Sequence, residues 1–244
     1  MTEHWPEHVD PEPGAEARSG SMSDDRERLA SLPVRLVQVF VSPGKLMDQL
    51  AREPRWLGAM LVSTVIVATS LAIIPVELMV EAQRAAMIER GQELPEMSER
   101  ATQVMRAVVP IASGLATMLF SAVFAGVYMV IFAFFLGDEG RFVQYLAAVT
   151  HAWFIAALLG LLLTPLRIST GDPQYTLNLA SFFFFLPDGY LYNVLRALDL
   201  TQIWSTLVIA QGAHAIDRRR SFKSAATIML GILLMIALIV GSFM

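Results

Sequence analysis

The chain has 244 residues, of which 55% are apolar and only 16% are charged, and its mean hydropathy is +0.54. A water-soluble domain carries roughly a quarter charged residues because its surface faces water, so this composition excludes an ordinary soluble enzyme. The net charge of −4 is small, and the lack of cysteine excludes disulfides, thiolate metal sites and a cysteine nucleophile.

Residues 1–32 are predicted to form a disordered acidic tail. This segment contains eight acidic residues, three basic residues and three prolines, and it has no cluster of apolar side chains. A chain of this kind buries too little apolar surface to offset the entropy that it would lose on folding. The folded part of the protein is therefore expected to cover residues 33–244.

A short amphipathic helix is predicted next, before the first long apolar run. Ser42 followed by Pro43 is a typical helix start, and Leu46, Met47 and Leu50 then fall on one helical face. Polar side chains occupy the opposite face. This pattern indicates a helix lying on the membrane surface, and a solvated linker is the alternative interpretation.

Five apolar stretches are long enough to cross the about 30 Å hydrocarbon core as helices. The predicted spans cover approximately residues 56–80, 108–136, 142–166, 199–216 and 225–243. The segment 181–195 contains a phenylalanine run that is too short to span, so it is predicted to be interfacial or re-entrant. The predicted fold is all-α: a polytopic transmembrane helical bundle of about five spans with a short N-terminal amphipathic surface helix.

The distribution of Lys and Arg predicts a cytoplasmic N-terminus and an external C-terminus. In this orientation the inner segments hold eight basic residues, and the outer segments hold six basic residues together with five glutamates. The densest basic cluster occupies a very short inner loop. Its basic side chains are predicted to contact anionic lipid headgroups, at about 1 kcal/mol per charge. They are Arg218, Arg219, Arg220 and Lys223.

Several short motifs follow one another in a characteristic order and spacing. They are Phe40-Val41-Ser42-Pro43, Pro54-Arg55-Trp56, Gly137-Asp138-Glu139-Gly140-Arg141-Phe142, Thr164-Pro165-Leu166, and Leu198-Asp199-Leu200-Thr201-Gln202-Ile203-Trp204 followed by Gly212. A short basic loop precedes the last span. In this arrangement the chain resembles Yip1-domain membrane proteins of the bacterial branch over roughly residues 35–243.

The resemblance implies a bundle of five helices with a cytosolic N-terminus, in a multi-pass protein of the cytoplasmic membrane. Eukaryotic relatives lie in Golgi and endoplasmic-reticulum membranes and contact small GTPases of vesicle traffic. The Asp-Leu-Tyr-Gly-Pro signature of that branch is absent from this sequence, so a GTPase partner is not carried over. The expected partners are membrane lipids and a membrane-protein partner or a second copy of the chain.

Four polar or aromatic residues within the predicted spans are candidate functional residues, because polar groups in a bilayer are costly unless paired. His151 lies in the third span, where a ligand contact and an interhelical hydrogen bond are both possible. On the fourth span Trp204, Gln211 and His214 share one helical face with Leu207. That face is predicted either to line a polar cavity or to pack against neighbouring helices.

Recognisable enzyme motifs are absent from the sequence: it contains no Walker loop, no GxSxG and no HExxH. No cofactor or metal site is predicted, and the basic loop is too short and too close to a bilayer to bind nucleic acid. The leading hypothesis is a non-enzymatic protein that organises membrane proteins or lipids. The alternative is a small transporter or lipid-translocating protein with a polar cavity lined by the fourth span. An intramembrane enzyme is a third possibility, which would require two convergent titratable groups.

Overall fold

The chain forms a bundle of α-helices, as the sequence predicts. The computed structural model describes residues 29–89, 91–92, 98–183 and 185–243, so the predicted acidic tail, 1–32, lies almost wholly outside the described residues. The α-helices are α1 Leu32–Val41, α2 Pro43–Arg52, α3 Leu57–Ile73, α4 Val76–Glu89, α5 Glu99–Met129, α6 Phe142–Leu162, α7 Thr164–Thr170, α8 Tyr190–Ala197, α9 Leu200–Ile216 and α10 Phe222–Gly241. A π-helical segment, Val130–Phe135, continues α5, and a 3₁₀ turn, Leu179–Phe182, precedes α8.

The first predicted span, 56–80, differs from the structure at its C-terminal end. Helix α3 stops at Ile73, and α4 continues at an angle of 83° to it. Pro75 follows Ile74 and explains the break, because proline cannot donate a backbone hydrogen bond and disfavours a helical conformation in the residue before it. Ile74 accordingly has an extended backbone with ψ of 126°. The straight part of the predicted span is therefore α3 alone.

Helix α5 is longer than its predicted span, 108–136. Together with the π-helical segment it covers 37 residues, or about 55 Å at a rise of about 1.5 Å per residue. Ser98 caps its start by accepting a hydrogen bond from the N–H of Ala101 at 3.3 Å. Near this end Arg106 forms an ion pair with Glu77 of α4 at 2.8 Å. The extra turns therefore pack beside α4.

Among the described residues, three helices are long and apolar enough to cross a membrane, and the bent pair α3 and α4 makes a fourth if it counts as one span. The three are Glu99–Phe135, Phe142–Leu162 and Phe222–Gly241. Helix α9, which matches the predicted fourth span, has 17 residues and a length of about 25 Å. The predicted number of about five spans is therefore approximate.

The packing order places consecutive long helices side by side. Helix α3 packs on α5 and α6, α6 packs on α5 and α9, and α9 packs on α10. At one end of this bundle Asp48 and Asp138 pair with arginines of the α9–α10 loop, and Asp217 of that loop accepts a hydrogen bond from the N–H of Glu139. At the opposite end the hydroxyls of Ser70 and Thr164 are 2.7 Å apart. The chain thus alternates between two ends, as a multi-pass protein must.

Helix α2 has the predicted amphipathic pattern, but its apolar face packs on protein. Leu46, Met47 and Leu50 are each at most 1% exposed, because α2 lies against α9 and α6. At Gly212 of α9 a β-carbon would come within 2.8 Å of Ala148 Cβ and 3.3 Å of Met47 Sδ. Glycine at this position therefore permits the close approach of three helices. The apolar face that was expected to lie on lipid is buried in the bundle.

The segment predicted not to cross the membrane, 181–195, ends in the short helix α8. Its eight residues extend only about 12 Å, and it packs along the end of α10. Tyr190 donates a hydrogen bond from its hydroxyl to the carbonyl of Leu238 at 3.0 Å. Val194 lies so close to Gly241 that a β-carbon there would be 2.7 Å from its Cγ2. The segment is thereby fixed to the last helix.

Candidate functional site

A network of ion pairs joins three separate segments at one end of the bundle. Arg218 donates to Asp48 of α2 at 2.5 Å, and Arg220 donates to both carboxylate oxygens of Asp138 at 2.5 and 2.6 Å. These contacts connect the α9–α10 loop to α2 and to the α5–α6 loop. We call this group the ionic clasp. It consists of Asp48, Asp138, Asp217, Arg218, Arg219 and Arg220.

Asp217 is the buried carboxylate at the centre of the ionic clasp. Its Oδ2 accepts hydrogen bonds from Arg219 Nη2 at 2.7 Å and from the backbone N–H of Glu139 at 2.9 Å. The Arg219 side chain, followed by the Glu139 N–H, holds the pKa of Asp217 well below its ordinary range. A general base needs a pKa near the working pH. Asp217 therefore fits a structural role rather than proton transfer.

Arg220 is held from two sides and is largely shielded from solvent. Its guanidinium lies 5.5 Å above the centre of the Phe132 ring, a cation–π distance, and its pairing with Asp138 raises its pKa. Phe132 in turn stacks on Tyr145, with ring centres 6.4 Å apart. A β-carbon at Gly140 would lie 2.6 Å from the Tyr145 ring. The backbone of Gly140 therefore packs directly against the Tyr145 ring, which leaves no space for a side chain at this position.

His214, a predicted functional residue, belongs to the same end of the bundle. Its Nδ1 lies 2.5 Å from the carbonyl oxygen of Arg220, and its Nε2 lies 3.3 Å from Arg218 Nη1. A neutral imidazole with its proton on Nδ1 satisfies both contacts, because Nδ1 then donates to the carbonyl and Nε2 accepts from the arginine. The contacts of His214 thus support the loop that carries the ionic clasp.

His151, the predicted residue of the third span, is fully buried and contacts a residue that sequence reasoning missed. Its Nδ1 lies 2.8 Å from the carbonyl oxygen of Ala147, and Arg35 Nη1 lies 3.4 Å from its Nε2. Arg35 Nη1 also donates to the carbonyl of Arg55 at 2.8 Å. Arg35 is only 6% exposed, and burial, followed by the nearby Arg55 charge, lowers its pKa. The sequence signal for Arg35 is a single arginine among the mostly apolar residues of α1, which indicates a charged group that needs a partner inside the protein.

The other two predicted residues, Trp204 and Gln211, have different surroundings from His151. Trp204 is 48% exposed on the outside of the bundle. Gln211 lies next to Gly44 of α2, where a β-carbon would be 3.2 Å from its Nε2. The structure therefore associates Gln211 with the docking of α2, and it brings His151 to Arg35 instead. The functional role of the four residues stays a prediction.

A groove opens between α5 and α10, with α6 and α9 forming its floor. We call it the lateral groove; its volume is about 660 Å³. Helix α9 lines it with Gln202, Ser205 and Thr206, which belong to a different face from Trp204. Ser205 donates to the carbonyl of Ala152 at 3.0 Å, so its polar atom is engaged in helix packing. Apolar side chains such as Phe120 and Ile236 form most of the walls.

A second, polar cavity of about 410 Å³ lies at the ionic clasp. We call it the loop cavity. It is lined by Leu136, Gly137, Asp138, Arg219, Arg220, Ser221 and Ser224. Of the residues predicted to contact lipid headgroups, Arg220 has a side chain that is only 13% exposed, whereas the Arg219 side chain is 64% exposed. Lys223 is exposed on the first turn of α10, and Arg218 pairs with Asp48. The predicted lipid contact stays a prediction.

Comparison with protein families identifies one matching family model. The model described as the Yip1 domain matches residues 37–244. Comparison with curated proteins gives no match, and no solved structure matches either. The family match agrees with the resemblance that the sequence motifs indicate, and it covers all five long helices of the bundle.

Proposed function

Because this chain belongs to the Yip1-domain family of integral membrane proteins, we propose that it organises other membrane proteins or lipids and is not an enzyme. We place it in the cytoplasmic membrane with its N-terminus inside. The ionic clasp carries this proposal. The buried carboxylates of the ionic clasp, Asp138 and Asp217, are both paired with arginines of the α9–α10 loop. These carboxylates would be the candidates for acid–base catalysis, and their ion pairs instead stabilise the packing of the bundle.

The contacts that hold α2 in place also give its exposed face a fixed position, which would allow a partner to bind there. Asp48 pairs with Arg218, and the apolar face of α2 is buried, so α2 is attached to the bundle along its length. Lys45 and Arg52 remain exposed on α2. A rigid basic surface of this kind suits an acidic membrane-protein partner, because complementary charge directs association.

Partner capture tests the proposal. In the double variant Lys45→Glu and Arg52→Glu, we expect a stoichiometric partner that co-purifies from native membranes to be lost, with the stability of the bundle changed by less than about 0.5 kcal/mol. The matched control is Arg84→Glu, an exposed charge on α4, which should keep the partner. Equal capture by both variants would contradict the role of α2.

The lateral groove favours a second candidate function, lipid translocation. It is lined by Gln202, Ser205 and Thr206 of the predicted fourth span, on another face of the helix than the one with Trp204, Gln211 and His214. A lipid flux in proteoliposomes that is lost in Gln202→Leu while partner capture is unchanged would favour translocation over organisation. If neither the unaltered protein nor Gln202→Leu produces a lipid flux, the result would favour the organising function.

The proposed orientation has a direct test, because the sequence contains no cysteine. In intact cells, an impermeant maleimide is expected to label Arg84→Cys on α4 and to label Lys45→Cys only after permeabilisation. This pattern is expected because Lys and Arg are enriched in the cytoplasmic segments of membrane proteins, and basic residues are in excess near Lys45. The reverse labelling pattern would place the ionic clasp outside the cell and contradict the proposed orientation.

A further inference from the structure

We propose that the loop cavity and the lateral groove together bind one anionic glycerophospholipid. Its phosphate is held at Arg219, Ser221 and Ser224, and one of its acyl chains lies in the lateral groove. This inference rests on the proposed function and deepens it, because it names the class of lipid and the place where it binds.

The two cavities follow each other between the same two helices. On the α5 side Leu136 lines the loop cavity and Ile131 lines the lateral groove, and on α10 the corresponding residues are Ser224 and Met229. Each pair is separated by five positions, or about 7.5 Å at a helical rise of about 1.5 Å per residue. A polar cavity therefore lies about 7.5 Å along the helices from an apolar groove, which is the order of headgroup and acyl chain in a phospholipid.

The loop cavity offers hydrogen-bond donors, because its acceptors are already engaged. Arg220 occupies both Asp138 oxygens and contacts the carbonyl of Leu136 at 3.4 Å, and Arg219 contacts the carbonyl of Gly137 at 3.4 Å. Among the described side chains that line the loop cavity, Arg219 Nη1 and the hydroxyl hydrogens of Ser221 and Ser224 are donors without an assigned acceptor.

The two serines keep their hydroxyl hydrogens free for a ligand. Ser221 Oγ accepts from the backbone N–H of Ser224 at 3.2 Å, and Ser224 Oγ accepts from Arg220 Nη1 at 3.4 Å. Each oxygen therefore acts as an acceptor within the described residues, and its hydrogen can donate outward. A phosphate group, which carries acceptors only, matches this set of donors.

The exposed charges beside the loop cavity select an anionic lipid. Lys223 is exposed beside the loop cavity, and the Arg219 side chain is 64% exposed although it pairs with Asp217 and with Glu139. The buried side chain of Asp138 is paired with Arg220. Basic residues at this level attract the acidic lipids of the cytoplasmic leaflet. In the proposed orientation, with the N-terminus inside, the loop cavity faces that leaflet.

The dimensions of the lateral groove suit an acyl chain. From Ser113 to Ile131 the groove follows α5 and the start of the π-helical segment over 19 residues, or about 27 Å at a rise of about 1.5 Å per residue. Its volume is about 660 Å³. That volume lies within the range of about 300–1,000 Å³ that is usual for small-ligand sites.

The test is native mass spectrometry of the full-length protein titrated with phosphatidylglycerol or with phosphatidylcholine of the same acyl chains. We expect phosphatidylglycerol to bind at least tenfold more tightly. Lys223→Gln, which leaves the ionic clasp intact, should weaken it by about fivefold, since a basic residue near an anionic group contributes a factor of about five. Arg55→Gln, an exposed arginine outside the loop cavity, is the charge control.

A second variant tests the acyl-chain position without altering the ionic clasp. Ala116→Phe fills the lateral groove, and we expect it to weaken both lipids by about tenfold, whereas Ala112→Phe, on the exposed side of the same helix, should bind like the unaltered protein. Equal binding of the two lipids by the unaltered protein, or equal effects of the two alanine variants, would overturn the proposed site. A protein that captures no partner yet prefers phosphatidylglycerol would support the lipid site and contradict only the partner-binding part of the proposed function.

Discussion

Replacing Arg220 with alanine is expected to lower the free energy of unfolding by about 3 kcal/mol, because the substitution leaves a buried carboxylate without its counter-ion. The side chain of Asp138 is only 7% exposed, and both of its oxygens accept hydrogen bonds from Arg220. The variant also removes the cation–π contact with Phe132. Thermal or chemical unfolding of the protein in one fixed lipid or detergent mixture measures the difference.

The matched control for Arg220 is its neighbour in the same loop. Arg218 forms its ion pair with Asp48 while its own side chain is 59% exposed, and solvent-exposed pairs of this kind contribute only about 0–1 kcal/mol. Arg218→Ala should therefore change stability by less than about 1 kcal/mol. Similar effects of the two substitutions would show that Asp138 is solvated and that the ionic clasp does not hold the bundle.

The second large effect is expected at Arg35, which attaches α1 to the bundle. Arg35→Ala should cost about 3 kcal/mol, because His151 Nε2 and the carbonyl oxygen of Arg55 both lose their donor, and each unsatisfied buried acceptor costs about 1–3 kcal/mol. Val39, which is fully buried on the same helix, should become accessible. In a Val39→Cys background, thiol labelling should accelerate when Arg35 is replaced.

Two further variants separate a local effect from a general loss of folding. Arg52→Ala makes the same change at an exposed arginine of α2, and it should leave the labelling rate of Val39→Cys unchanged. His151→Phe combined with Arg35→Met replaces both polar partners by apolar groups, which can be nearly neutral where a single loss is costly. Additive costs of the two single changes would contradict direct coupling between Arg35 and His151.

The positions of the long helices could be predicted from the sequence because their signal is local. Apolar runs of sufficient length, separated by charged or glycine-containing turns, define α5, α6 and α10 with no knowledge of their neighbours. The predicted first span, 56–80, runs through Pro75 because four of the five residues from 76 to 80 are apolar, whereas the backbone turns by 83° at that point.

The candidate site was predicted less well, because its contacts join residues that are far apart in the chain. Asp48 and Arg218 are 170 positions apart, Asp138 and Arg220 are 82 apart, and Arg35 and His151 are 116 apart. The basic loop itself was identified from the sequence as a charged cluster. Its carboxylate partners could not be assigned, since no local pattern specifies which acidic residue will meet which arginine.

The sequence by itself determined that this is an all-α membrane protein of the Yip1 family with an amphipathic helix before its first span, because apolar run length, helical periodicity and motif order are properties of the chain alone. The tertiary structure decided what those elements contact. It placed the apolar face of α2 on α9, paired the arginines of the basic loop with buried carboxylates, and left the lateral groove open between α5 and α10. These features depend on how helices pack together, and helix packing is set by long-range side-chain complementarity that no single segment encodes.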